Sequence, residues 1–147
     1  MNNRILLILT GEHSVNAEES AFSYAKLTSK KLVALQILTS NLYHYGHQDL
    51  IATRPSKRQF LLHIRDEILR YGEAQAKVLE EKARQRGVSL EICSIETEDR
   101  IKAAISEAKK GYEIIFLPKG KRKLFPLLEK TLAEHLRKKV SSQIVES

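Results

Sequence analysis

The sequence predicts an α/β protein in three layers: a doubly wound, five-stranded parallel sheet of order 3-2-1-4-5, with helices on both faces. Apolar runs without helical periodicity at residues 5–9 and 113–117 are typical of strands buried on both sides. The segments between such runs carry apolar residues at helical spacing. Strands that alternate with helices favour a parallel sheet.

The composition favours one folded domain. The chain has 147 residues, of which 42% are hydrophobic and 29% charged, which is enough for a single core over residues 1–147. The longest apolar run, Ile5–Leu9, is too short to cross a bilayer, and no secretory signal pattern is present. The single cysteine, Cys93, excludes an intramolecular disulfide. We therefore expect a single-domain cytoplasmic protein without a membrane segment.

The first half of the chain contains two predicted strands, Ile5–Leu9 and Val33–Leu38, each followed by a helix. The first helix covers residues 17–31, with its inward face formed by Ala17, Ala21, Tyr24, Ala25 and Leu27. A polar stretch over residues 39–59 precedes a long helix over 60–86, and Gly87 is placed for a left-handed C-cap. The expected inner face of the long helix consists of Leu61, Ile64, Ile68, Tyr71, Val78 and Leu79.

The second half adds three predicted strands, at residues 88–95, 113–117 and 143–145. Thr97 is the expected N-cap of the helix that follows the first of them; the inner face of this helix comprises Ile101, Ala104, Ile105 and Ala108. The last helix covers roughly residues 126–139, and two starts remain open. Pro126 suits a first helical position, whereas Thr131 has capping-box spacing with Glu134.

The predicted topology also places a binding site. In open parallel sheets, ligands bind beyond the carboxyl ends of the strands where the strand order reverses, here between strands one and four. The loop after strand one contains Gly11, hydroxyl groups and a helix start, and the loop after strand four contains Gly120 and four cations between Lys119 and Lys123. These are the ingredients of a phosphate site. Gly120 would allow close backbone approach, Lys121 and Arg122 would neutralise phosphate, and Thr131 would cap the helix or bond a phosphate oxygen.

The charge distribution leaves four interpretations open. The formal net charge is +7, and residues 119–139 contain eight Lys and Arg but only two acidic residues. This segment could hold a small anionic ligand, meet an acidic protein partner, bind nucleic acid, or form only a solvated surface. The sequence argues against nucleic acid, because only Phe125 interleaves with the cations and no recognition helix is evident.

Other candidate chemistry is weaker. His44, His47 and Asp49 lack a fourth metal ligand, so a loop tip is the preferred interpretation. His13 and Ser14 are neighbours on a turn, which argues for Ser14 as an N-cap rather than a nucleophile. Cys93 lies in an alternating strand and is interpreted as a structural thiol. We predict no catalytic residue and no metal ligand.

Two strands and the turns after them carry a family resemblance. Residues Ile5–Thr10 followed by Gly11–Ser14 resemble the opening strand and Asp-Gly-Ser turn of the universal stress protein family. Residues Tyr112–Leu117 resemble the strand that precedes the family's Gly-x2-Gly-x9-Gly-Ser/Thr nucleotide motif. The order of elements matches over the whole chain. The resemblance implies a Rossmann-like fold, a homodimer paired through the last strand and, as in some members, ATP binding.

The nucleotide motif is only partly preserved. Gly120 and Thr131 match it, whereas Leu117 and Lys130 stand at glycine positions, and Thr10 stands at the position of the aspartate that meets adenine and ribose. The resemblance therefore implies the branch without the ATP motif: a non-enzymatic stress-response protein whose ligand is an adenine nucleotide, another anion, or none. The candidate ligand-binding residues are Thr10, Gly11, Gly120, Lys121, Arg122 and Thr131. In the family, the connection at residues 39–59 borders the cleft, so here it is a candidate cover.

Overall fold

The computed structural model describes residues 4–10, 15–38, 54–97, 99–118 and 132–146. The strands are β1 (Arg4–Thr10), β2 (Lys31–Leu38), β3 (Leu90–Glu96), β4 (Ile114–Leu117) and β5 (Gln143–Glu146). The helices are α1 (Val15–Thr28), α2 (Arg54–Arg86), α3 (Arg100–Ala108) and α4 (Leu132–Lys139). The strands form one parallel sheet in the order β3-β2-β1-β4-β5, which confirms the predicted fold class and strand order.

β1 is the central strand and is enclosed on all sides. Its residues Ile5–Leu9 are at most 1% exposed, and they pair with β2 on one side and β4 on the other. Alternate side chains enter two separate cores. Leu7 and Leu9 belong to the core beneath α1 and α2, while Leu6 and Ile8 belong to the core beneath α3 and α4. This two-sided burial explains why the strand is a continuous apolar run.

Three predictions about helix faces and bounds are wrong. Leu27 was expected to face inward but is 85% exposed. Phe22, which was not among the expected inward residues, is one of the largest buried side chains of the core. The second helix, α2, begins at Arg54, so residues 54–59 of the expected polar stretch are helical. The expected core residues Tyr71 and Val78 are exposed.

The error at Tyr71 and Val78 has a simple geometric cause. α2 buries a narrow stripe against the sheet that includes Gly72, Leu79 and Ala83. Tyr71 and Val78 each precede a stripe residue by one position, which rotates them about 100° around the helix. They therefore lie beside the buried stripe rather than in it.

A polar clamp fixes α2 over the sheet. The buried side chain of Gln36 on β2 donates from Nε2 to the carbonyl oxygen of Gly72 at 3.0 Å and accepts from Ser94 Oγ on β3 at 3.1 Å. Gly72 permits this close approach, because a Cβ there would lie 2.8 Å from Leu38 Cδ1. The left-handed cap expected at Gly87 is confirmed by its φ of +67°.

The N-cap of α3 is Asp99, not Thr97. Asp99 Oδ1 accepts from the backbone N–H of Lys102 at 3.0 Å, whereas Thr97 Oγ1 accepts from the N–H of Asp99 at 3.2 Å. The threonine hydroxyl thus shapes the turn, and the helix starts two residues later than expected. The competing helix starts at Pro126 and Thr131 lie outside the described residues.

A second polar network lies at the amino edge of the sheet. The Tyr112 hydroxyl, in a side chain only 1% exposed, donates to Glu107 Oε1 at 2.6 Å, and Lys110 Nζ donates to Glu107 Oε2 at 2.8 Å. Burial alone would raise the Glu107 pKa, but the hydrogen bonds from Lys110 and Tyr112 outweigh it and hold that pKa below its usual range. Burial and the bond to Glu107 raise the pKa of Tyr112. The network therefore holds a charged carboxylate against a neutral phenol.

We expect Tyr112→Phe to destabilise the protein, because it leaves a buried Glu107 oxygen without its donor. The loss should be about 1–3 kcal/mol in the free energy of unfolding, measured by urea denaturation at neutral pH. Tyr71→Phe is the matched control, since Tyr71 is 59% exposed, and it should change stability by less than about 0.5 kcal/mol. Equal effects of the two variants would show that the buried bond contributes nothing.

Candidate functional site

The sheet reverses its strand order between β1 and β4. The two strands are direct neighbours, with Leu7 aligned to Phe116. After β1 the chain continues into α1, whose buried residues line one core. After β4 it continues into α4, and Ala133 and Leu136 of this helix line the other core. A crevice at the carboxyl ends of this strand pair is the usual ligand position of an open parallel sheet. The predicted switch point is therefore confirmed.

The two strands end at different heights. Extending the register from Leu7 and Phe116 places Leu117, the last residue of β4, level with Ile8. β1 continues to Thr10, which still pairs with Ile37 of β2. The tip of β1 therefore extends two residues, or about 7 Å, beyond the end of β4. This step bounds one side of the position where a ligand would lie.

The structure describes only part of the predicted site. The backbone of Thr10 closes β1, while Gly11, Gly120, Lys121, Arg122 and Thr131 lie outside the described residues. The described elements that flank them are β1 and α1 on one side and Leu117, Pro118 and α4 on the other. The structure thus brings together the elements that carry the two loops and does not test the candidate side chains themselves.

Leu117, which stands at a glycine position of the nucleotide motif, has a packing role. It is 3% exposed and belongs to the core that also contains Ile115 and Leu136. Its side chain is therefore part of the contact between the sheet and the helices of the α3/α4 face. A glycine here would leave part of that core unfilled.

Two other candidate groups, a metal site and a reactive thiol, can be compared with the described part of the chain. Within the described part of the chain, no three His, Cys, Asp or Glu side chains are placed to hold a metal ion; His44, His47 and Asp49 fall outside it. Burial raises the pKa of Cys93, which fits a structural thiol. None of the described helices has the length and apolar character needed to cross a membrane.

The two ends of the basic segment at residues 119–139 lie at opposite edges of the sheet. Its last cations, Arg137, Lys138 and Lys139, lie in the final turn of α4. α4 leads into β5, and Gln143 at the start of β5 aligns with Ile114 at the start of β4. Lys138 and Lys139 therefore lie toward the amino edge of the sheet, away from the carboxyl end of β4 that precedes Lys119, whereas the Arg137 guanidinium reaches Glu146, the register partner of Leu117. The one-dimensional charge count did not reveal this separation.

Comparison with known proteins adds the fold family. No family model and no curated protein matches this sequence. Solved structures do match. A universal stress protein family member from Burkholderia pseudomallei is 19% identical, with a TM-score of 0.64 over 99% of this chain and 95% of that one.

Two further matches were solved with nucleotides. A universal stress protein in complex with cAMP is 12% identical, with a TM-score of 0.60 over 98% of this chain and 94% of that one. A universal stress protein family member from Arabidopsis thaliana with AMP bound is 14% identical, with a TM-score of 0.54 over 97% and 90% of the two chains.

At these identities the similarity establishes the architecture and not the ligand. All three alignments extend over nearly the whole chain, with TM-scores above 0.5. The resemblance that the opening strand and the fourth strand indicated is therefore confirmed at the level of structure: this chain has the universal stress protein fold.

Proposed function

We propose that this chain is a non-enzymatic regulatory protein of the universal stress type that binds a nucleotide or another phosphate-bearing metabolite at the β1/β4 switch point. The observation that carries the proposal is the adjacency of the ends of β1 and β4, with Thr10 extending past Leu117. The proposal takes residues 1–147 as one domain that acts in the cytoplasm in the stress response.

The chemistry of the two loops supports a phosphate ligand. Gly11 and Gly120 would let the backbone approach the ligand closely, and Lys121 and Arg122 would neutralise its charge. Thr131 directly precedes Leu132, the first described residue of α4, and a helix that starts at Thr131 would favour an anion through its free N–H groups and its positive dipole end. The cAMP and AMP found in two similar structures support an adenine nucleotide as the first ligand to test.

One observation favours a different function, a protein-interaction module without a small ligand. Leu117, which stands at a glycine position of the nucleotide motif, is buried in the core, and Pro118 follows it. In that case the basic surface alone would act, by meeting an acidic partner or, more weakly, nucleic acid.

Ligand binding is tested by thermal unfolding in the presence of ATP, AMP, cAMP and inorganic phosphate. A nucleotide at 100 times its Kd should add about 2.7 kcal/mol to stability and raise Tm by several degrees. Lys121→Ala/Arg122→Ala should abolish the rise, whereas Lys26→Ala/Lys77→Ala, which removes two exposed lysines on the α1/α2 face, should keep it. No rise at millimolar concentrations of any of these compounds would favour the interaction module.

Leu117→Ala should cost about 2–5 kcal/mol in the free energy of unfolding, because it opens a cavity in the core. Urea denaturation measures the loss, and Leu27→Ala at an exposed helix position is the control, with an expected change below about 0.5 kcal/mol. An unchanged free energy of unfolding in Leu117→Ala would show that the core tolerates a small residue at this position.

We also propose that two copies pair through β5, which forms one edge of the described sheet. Its Ile144 and Val145 are half-buried and pack against opposite cores. Sedimentation of the wild type should give a dimer, and Val145→Lys should give a folded monomer, because a charged side chain disfavours strand-to-strand pairing. Ser89→Lys, beside the opposite edge strand β3, should remain dimeric. A monomeric wild type would exclude the pairing.

A further inference from the structure

We propose that the ends of α3 and α4 form a docking surface for an acidic segment of a partner protein. The surface, called here the lysine corner, consists of Lys109, Lys110, Lys138 and Lys139. All four side chains are exposed. The lysine corner is separate from the switch point, and the proposal does not depend on nucleotide binding.

The topology brings the two lysine pairs side by side. Lys109 and Lys110 precede Ile114, the first residue of β4, by five and four positions; Lys138 and Lys139 precede Gln143, the first residue of β5, by the same offsets. Ile114 and Gln143 are register partners in adjacent strands. α3 and α4 contribute to the same core, and Ser142 Oγ ties the two connections together by donating to the carbonyl oxygen of Tyr112 at 2.6 Å.

The corner differs from the start of β2 in its charge balance. There, two adjacent cations are neutralised: Lys30 pairs with Glu113, and Lys31 Nζ lies 2.9 Å from Glu91 Oε2. At the corner, the buried carboxylate Glu107 is shared between Lys110 and Tyr112. Within the described ranges, no carboxylate forms an ion pair with Lys109 or Lys139. The helix dipole favours a cation at the C-terminus of each helix, but it does not account for two adjacent lysine pairs.

The neighbouring groups favour a protein partner over nucleic acid. The aromatic ring at the corner, Tyr112, is 1% exposed and cannot stack on a base. The nearby arginines are engaged: Arg4 lies over the Tyr112 ring at 5.0 Å, and Arg137 Nη1 lies 3.5 Å from Glu146 Oε1. Four ammonium groups are also fewer than the roughly 6–10 phosphate contacts of a typical DNA-binding protein.

The spacing of the pairs fits carboxylates on one short segment. The axes of packed helices lie about 8–10 Å apart, and α3 and α4, which carry the two lysine pairs, pack on the same core. Two turns of an acidic helix cover about 11 Å. A segment with two carboxylates one or two turns apart can therefore reach both pairs. An ammonium group can donate hydrogen bonds to a carboxylate in many directions, so the exact geometry of the segment matters little.

The test measures binding of a fluorescein-labelled poly-L-glutamate of about 20 residues to the whole protein by fluorescence anisotropy at physiological salt. Lys109→Glu/Lys139→Glu should weaken binding at least tenfold. Lys26→Glu/Lys77→Glu changes the formal net charge of +7 by the same amount on the opposite face and should weaken binding less than threefold. Thermal unfolding confirms that each variant is folded; should the glutamate variant fail to fold, Lys109→Gln/Lys139→Gln replaces it with an expected loss of at least threefold.

Three results would overturn the proposal. Equal weakening by the two double variants would mean that only the overall charge attracts the polymer. No measurable binding by the wild type would mean that the corner holds no acidic segment. A 20-base-pair duplex DNA that binds more tightly than poly-L-glutamate, and loses that affinity in Lys109→Glu/Lys139→Glu, would make the corner a phosphate-binding surface instead.

Discussion

The structure depends on the enclosure of β1. This strand has neighbours on both sides and helices on both faces, and its residues Ile5–Leu9 are withdrawn from water. Burial of apolar surface on both faces of one strand joins the two cores into a single body. The same position makes β1 the strand at which the order of the sheet reverses, so one constraint determines both the core and the crevice.

Polar groups define how the helices are positioned on this apolar frame. Gln36 links β2 to the carbonyl oxygen of Gly72 and to Ser94, and Glu107 links α3 to Tyr112 ahead of β4. Buried polar groups must be satisfied, so each bond selects one arrangement among several that would bury similar apolar area. The two networks lie at different places: the first holds α2 near the carboxyl end of β2, and the second closes the amino edge beside the lysine corner.

The two edges of the sheet therefore have different chemistry. The carboxyl edge carries the switch point and the proposed phosphate ligand, whereas the amino edge carries paired cations and the lysine corner. Leu117 shows how the chain departs from the nucleotide motif. Its side chain fills part of the core, whereas the glycine of the motif would leave the backbone accessible to a ligand. The proposed ligand would therefore be held mainly by the loop after β4, where the sequence concentrates cations.

Much of the fold could be predicted from the sequence because buried parallel strands have a strong signature. The continuous runs at β1 and β4, the alternation in β3 and the glycine cap at Gly87 were sufficient for element order and topology. Of the candidate site, the sequence predicted the adjacency of β1 and β4, the strands that precede the two loops, since parallel strands of this order allow few other arrangements. The roles of Lys121, Arg122 and Thr131 remain predictions.

Local sequence alone determined the strands, the C-cap at Gly87 and the order of elements, since these depend on neighbouring residues and on side-chain periodicity. Only the tertiary structure decided which face of each long helix is buried. Tyr71 and Val78 have the composition of core residues, but contact with the sheet selects Gly72 and Leu79 instead. It also decided that Lys109, Lys110, Lys138 and Lys139 meet, because residues about thirty positions apart become neighbours only when β4 and β5 pair in register.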